Sequence, residues 1–305
     1  MLTVLSRPHR PAALATLLGT ALLLAGALPG QTGPRFLPVS AATPSYLALG
    51  DSLAAGLQPD ASGRDHVTSQ GYADVLGRRL ARVYPGLRTI KVSCGGATTG
   101  TLLRGGAGCQ RSGEPSQLVQ AERALRAHAD VRLVTVNIGD NDVEGCVHLD
   151  PPSIDDGCVA DGRAAIGRNL PQIAHRLAAA AGPRTAVVGI TDYDQFLALW
   201  NEGPAGRAVA RRSVRVIGSL NALMARIYRQ AGIAVASSDA AFATTNLSTM
   251  RSMPGYGRVP LAVERICRWT WACSPPPIGH DDHARPHGYA VIAQSVLDAL
   301  AAGGR

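Results

Sequence analysis

Short apolar runs rich in β-branched residues recur at 46–49, 89–93, 133–138, 185–190 and 233–236. Between them lie longer stretches, 72–83, 117–127, 164–180, 209–228 and 289–300, with apolar residues three and four apart. The short runs suit strands buried on both faces, and the intervening periodicity suits crossover helices. That alternation leaves few architectures open. It predicts an α/β fold with one central parallel five-stranded sheet and helices on both faces, whose reactive crevice opens at the carboxyl ends of the strands. Functional residues are therefore expected just after the strands.

The first thirty residues follow a different logic. Arg7 and Arg10 precede an apolar stretch over 12–28 that holds no acidic residue, and Ala25 with Ala27 offers an A-x-A cleavage option. This is the pattern of a secretory signal peptide, so 1–30 is read as signal, 31–44 as a Pro/Gly/Ser/Thr-rich spacer, and 45–305 as one domain. An uncleaved N-terminal anchor is the alternative. A secreted, extracellular chain is expected, with no stable membrane insertion once the signal is cleaved. Six cysteines follow the signal: Cys94, Cys109, Cys146, Cys158, Cys267 and Cys273. In an oxidising compartment three disulfides are expected, and the close pairs along the chain point to sequential pairing.

Charge excludes some classes of partner. The net charge is +8, Lys91 is the lone lysine, and the arginines are scattered rather than gathered in a stripe, so no nucleic-acid footprint is present. With 46% hydrophobic and 17% charged residues the chain is globular rather than disordered or coiled coil, and a monomer is expected.

Chemistry gathers after the first strand and near the chain's end. Gly50-Asp51-Ser52-Leu53 puts a serine at a strand's carboxyl end beside a helix start, where backbone N–H groups are free for an oxyanion. A plain serine N-cap reads the same residues equally well. A hydroxyl is inert near neutral pH without a base, and Asp281-Asp282-His283 supplies an imidazole with a carboxylate two residues before it. In an extended loop those two side chains share a side, so Asp281 is expected to hold His283 while Asp282 points away. Three other readings stay open: a solvated His283, a metal site built from His280, His283, His287 and the aspartates, or His287 as the base. The turns Cys94-Gly95-Gly96-Ala97-Thr98 and Gly139-Asp140-Asn141-Asp142 offer backbone and amide donors, although each is also ordinary turn chemistry. Asp51 and Asp142 are read as turn-stabilising groups. Trp269 and Trp271 either line a pocket or pack beneath the loop between Cys267 and Cys273.

Taken together, the four blocks resemble those of the GDSL or SGNH hydrolase family, in which Ser, Gly, Asn and His come from separate blocks in that order. Here they are Ser52 in Gly-Asp-Ser-Leu, Gly96 in Cys-Gly-Gly-Ala-Thr-Thr, Asn141 in Gly-Asp-Asn-Asp, and Asp281 with His283. Gly288-Tyr289 follows at the family's usual distance and favours His283 over His287. Departures are Asp140 for the usual second glycine and Ala284-Arg285 where members have Pro-Asn. An α/β-hydrolase elbow fits less well, because position 54 is Ala rather than the second glycine of G-x-S-x-G. The resemblance implies a three-layer flavodoxin-like fold without metal or cofactor. It also implies hydrolysis of small-molecule, lipid or acylated-glycan esters through an acyl-enzyme on Ser52. In that scheme His283 is the base, Asp281 its orienting acid, and Ser52, Gly96 and Asn141 the oxyanion donors. A non-catalytic glycan- or lipid-binding protein and an acyltransferase are the competing readings.

Overall fold

The computed structural model describes residues 43–106, 113–127 and 130–303. The expected signal peptide and nearly all of the spacer lie outside the described residues. So does Cys109, and with it the pairing expected for Cys94.

The apolar runs form five parallel strands: β1 (Ser45–Gly50), β2 (Arg88–Lys91), β3 (Val131–Asn137), β4 (Ala186–Thr191) and β5 (Ala234–Ser237). Their order across the sheet is β2-β1-β3-β4-β5. Every neighbouring pair is parallel. β1 lies inside the sheet and all six of its residues are buried, which is why its sequence is a continuous apolar run rather than an alternating one.

The helices are α1 (Ser52–Ala55), α2 (Tyr72–Leu80), α3 (Thr99–Arg104), α4 (Gln117–Ala127), α5 (Asp156–Ala180), α6 (Gly203–Gln230), α7 (Ser238–Phe242), α8 (Leu261–Trp269) and α9 (Pro286–Gly303). From β1 the chain steps outward to β2, then returns across β1 to β3 and continues to β5. Right-handed crossovers turn that reversal into a change of face. Helices α3 to α6 pack among themselves, with α4 against β1 and α6 against β4 and β5; α2 and α9 pack together, α2 against β2 and α9 against β4 and β5. The three layers of the expected flavodoxin-like fold result. The strand order also places a topological switch point between β1 and β3, where ligands of such sheets bind.

Among the described residues, three antiparallel hairpins decorate this frame: Leu57–Pro59 with Asp65–Val67, Val147–Leu149 with Pro152–Ile154, and Met250–Met253 with Gly257–Pro260. Disulfides join Cys146 to Cys158 and Cys267 to Cys273, as sequential pairing predicts. Among the described residues no helix is long and apolar enough to cross a membrane.

Candidate active site

Gly50 closes β1 with a φ of 136°, a backbone conformation that side chains rarely adopt. A Cβ there would lie 1.9 Å from the Asn137 carbonyl oxygen, so glycine is what lets the ends of β1 and β3 meet. The buried Gln117 amide satisfies both peptide groups of Gly50, accepting from its N–H at 3.0 Å and donating to its carbonyl at 2.9 Å. Asp51 then caps α1 by accepting from the Leu53 N–H at 3.0 Å. Ser52 is thereby fixed as the first residue of α1, almost fully buried at 8% exposure.

The two donor turns follow β2 and β3, the strands on either side of β1. Block two begins where the Cys94 N–H donates to the Gly50 carbonyl at 3.0 Å. A Cβ on Gly95 would sit 4.0 Å from that of Ser52, and Gly96 follows in a left-handed conformation at φ 73°. Block three follows β3 as a short 3-10 turn, Asp140–Asp142. Asp142 does not merely brace its own turn, as expected from sequence: it accepts from the Thr99 N–H at 2.8 Å and the Thr99 hydroxyl at 2.7 Å, tying block three to the start of α3. Asn141 borders a hollow shared with Thr98, Gly100 and Asn169.

The last block is the most constrained. Asp281 Oδ1 accepts from the His283 backbone N–H at 2.9 Å and lies 3.1 Å from its Nδ1. The imidazole is nearly buried, with 8% of its side chain exposed, and the Asp281 side chain is as hidden at 9%. Burial works against the charged imidazole, but the Asp281 hydrogen bond and the charges of Asp282, Asp281 and Asp65 outweigh it and hold the His283 pKa up at about 9. Burial likewise opposes the Asp281 carboxylate, yet His283 keeps it below the usual carboxylate range.

The backbone of this loop is clamped by the disulfide loop before it. The Trp271 N–H donates to the His283 carbonyl at 2.9 Å, and the Arg285 N–H to the Trp269 carbonyl at 2.8 Å, around a bridge between Thr270 and Ala284. Arg285 adds bonds to the Thr270 carbonyl at 2.7 Å and the Ser274 hydroxyl at 2.9 Å, and its guanidinium stacks 3.9 Å from the Trp271 ring centroid. Ala284 and Arg285, the residues that depart from the family pattern, thus bind the loop closed by the second disulfide. Trp269 packs edge-on against Phe242 and His287, each at 5.2 Å, so it belongs to the packing beneath the loop.

The His283 loop meets the Ser52 block, since the Tyr289 hydroxyl that follows it donates to the Leu57 carbonyl, just after α1, at 2.6 Å. The Asp51 carboxyl, next to Ser52, is pushed up by burial and by Asp192, and it also feels the charges of Asp282 and His283. No hydrogen bond joins Ser52 to His283, a contact that commonly tightens only with substrate bound. Asp282 does not simply point away. Its carboxylate lies 3.8 Å from His283 Nδ1 and borders a cleft of about 280 Å³. Glu144, Val147, Leu149, Phe196 and Leu199 also line that cleft. They come from the segment between β3 and α5 and from the one just before α6, stretches without a readable motif, where only the fold reveals a shared surface. Burial, then the charge of Asp282, pushes the Glu144 carboxyl up to about 7.

Metal-like groupings among the described residues are Asp65/Asp281/His283 and Asp140/Glu144/Asp282. The first is not the histidine cluster considered from sequence, because His280 and His287 are absent from it, and Asp281 already engages the imidazole. The second is a set of carboxyls, of which Asp140 already accepts from the Gln195 amide at 2.8 Å.

Residues 48–258 match the GDSL-like lipase/acylhydrolase family. The chain belongs to this family. The family match ends before the loop of Asp281 and His283, so that part of the site rests on geometry. Among solved structures, an extracellular lipase from Streptomyces rimosus is 20% identical, with a TM-score of 0.54 over 84% of this chain and 99% of the lipase. The lipase Lip_vut3 from a goat rumen metagenome is 14% identical, with a TM-score of 0.51 over 84% of this chain and 97% of that one. At these identities the likeness is one of fold. No curated protein matches the sequence significantly.

Proposed function

We propose that this protein is a secreted carboxylic-ester hydrolase that works through an acyl-enzyme on Ser52. One observation carries the reading: a buried, hydrogen-bonded Asp281–His283 pair lies against the hairpin that directly follows the helix of Ser52, with Asp65 3.3 Å from the imidazole. A buried imidazole with a carboxylate on Nδ1 keeps Nε2 free to act as a base, which is what activation of a hydroxyl requires.

In this scheme Ser52 Oγ attacks the ester carbonyl while His283 Nε2 takes its proton, and Asp281 stabilises the imidazolium. The Ser52 and Gly96 N–H groups and the Asn141 amide donate to the oxyanion. The imidazolium returns its proton to the departing alcohol, and the neutral imidazole then activates the water that releases the acid. These steps draw on side chains and backbone alone. The cleft beside Asp282 has apolar walls for the acyl or alcohol portion of a small-molecule, lipid or acylated-glycan ester. Secretion, with 1–30 as signal and 31–44 as spacer, agrees with the disulfides at Cys146–Cys158 and Cys267–Cys273, and 45–305 is in this reading the catalytic domain of a monomeric enzyme.

A fluorophosphonate should label wild type and not Ser52→Ala. The same substitution should cut hydrolysis of a short-chain aryl ester by at least about a thousandfold with the fold intact. Full activity in a folded Ser52→Ala variant removes the proposal. An ester panel of graded acyl length, run beside it, defines the substrate class.

A further inference from the structure

Sequence and family point to one carboxylate for His283, yet a second reaches the same nitrogen from a distant part of the chain. Asp65 Oδ1 lies 3.3 Å from His283 Nδ1. It begins the second arm of the hairpin that pairs Leu57–Pro59 with Asp65–Val67, directly after the helix that carries Ser52. That hairpin is docked on the base's loop from both sides of His283. At its tip the Gly63 backbone packs so closely that a Cβ would lie 2.3 Å from the Pro277 carbonyl oxygen. At its first strand the Leu57 carbonyl accepts from the Tyr289 hydroxyl at 2.6 Å. The tip is itself braced, since Asp60 accepts from the Ser62 N–H at 2.7 Å and the Arg64 N–H at 3.1 Å. The approach of Asp65 to the imidazole is thus built by the fold rather than left to a free side chain.

We propose that Asp65 is a second positioning residue for His283, sharing Nδ1 with Asp281 and linking the hairpin after the nucleophile's helix to the imidazole. The inference rests on the reading of Ser52 and His283 as nucleophile and base. The two carboxylates are unequal partners. Asp281 takes the hydrogen bond with a side chain only 9% exposed, whereas the Asp65 side chain is 38% exposed and acts through a more screened charge. Asp65 should accordingly matter less than Asp281, and mainly when the imidazole is charged. Other titratable groups that face His283 are Asp281 and Asp282 on its own loop, Asp51 at the cap of α1, and Glu144 after β3. Asp65 also contacts Asp281, and burial, offset in part by His283 and reinforced by Asp281, holds the Asp65 carboxyl up at about 6, so it is charged where His283 titrates.

The test is the pH profile of kcat and kcat/KM for Asp65→Asn beside wild type, Asp65→Glu and Ser52→Ala. Removing a negative charge makes the imidazolium easier to deprotonate, so the acid limb should move down by about half a pH unit or more. The plateau kcat should fall roughly tenfold with KM within about twofold, because the loss falls on the charged intermediate rather than on binding. Asp65→Glu should restore most of both. Limb and plateau unchanged in Asp65→Asn, with Ser52→Ala still inactive, overturn the proposal and leave the hydrolase reading standing. Full activity in Ser52→Ala would instead bring down that reading and this one with it. If Asp65→Asn lowers activity through general destabilisation, the NMR titration of His283 in the Ser52→Ala and Ser52→Ala/Asp65→Asn proteins decides without turnover. A midpoint lower by about half a unit supports the proposal, and an identical midpoint overturns it.

Discussion

In the proposed mechanism His283 must be neutral to take a proton from Ser52, yet its surroundings favour the charged form up to about pH 9. Below that value the fraction of active base falls about tenfold per pH unit, so kcat/KM on a neutral ester should climb from pH 7 and level off near pH 9. A profile already flat at pH 7 would show that the carboxylates around the imidazole do not hold its proton. Asp281→Asn removes the hydrogen bond that does most to raise His283. Its acid limb should lie lower, with a maximal rate reduced roughly a hundredfold or more, as measured in the same profile. His280, one residue before this acid, is a non-glycine with φ of 53° and borders the cleft. An L-residue in the left-handed region costs about 1 kcal/mol, so His280→Gly should raise the urea midpoint, and an unchanged midpoint would mean the conformation costs nothing there.

The elements differ in what holds them. The strands and long helices were legible because each buries a continuous run or a regular stripe, and observed limits differ from the periodicity by only a few residues. Helix α5 is the exception. It starts at Asp156, eight residues before the periodicity at 164, because its first turns carry no buried stripe and stand on the Asp155 cap and the Cys146–Cys158 disulfide. Helix α8 buries Ala262, Val263 and Ile266, a signal present in the sequence but short enough to pass for loop. The loop of Asp281 and His283 has no periodicity to read, since its order comes from the disulfide loop and Arg285. Arg285→Ala should therefore reduce kcat by about tenfold while Ser52 still accepts a fluorophosphonate slowly. Arg285→Lys should not restore it, because a single ammonium cannot make both bonds and stack on Trp271. Wild-type kcat in Arg285→Ala would show that the clamp is dispensable.

Across the whole molecule, proton binding sets stability against activity. Burial first, tempered by nearby donors or reinforced by nearby charges, raises the Glu144, Asp192 and Asp194 carboxyls to about 7, and their neighbours raise His283 to about 9. Each of these groups holds its proton more tightly folded than unfolded. The carboxyl contributions are lost as pH rises from the ordinary carboxylate range through about 7, and the His283 contribution, complete below its unfolded value, is lost as pH rises through about 9. Melting temperature should thus be higher at pH 5.5 than at pH 9, the reverse of the activity profile; equal values would show that the buried carboxyls ionise as freely as in the unfolded chain. The sequence alone determined the parallel sheet, the crossover helices, the sequential disulfides Cys146–Cys158 and Cys267–Cys273, and the family to which the four blocks belong. Those features are written in local periodicity and spacing. Tertiary structure alone decided that Asp65 meets His283, that Asp282 borders a cleft, and that Arg285 clamps the loop between them. Such contacts join segments far apart in the chain, and no local pattern records a distance that only the folded sheet brings down to a few ångströms.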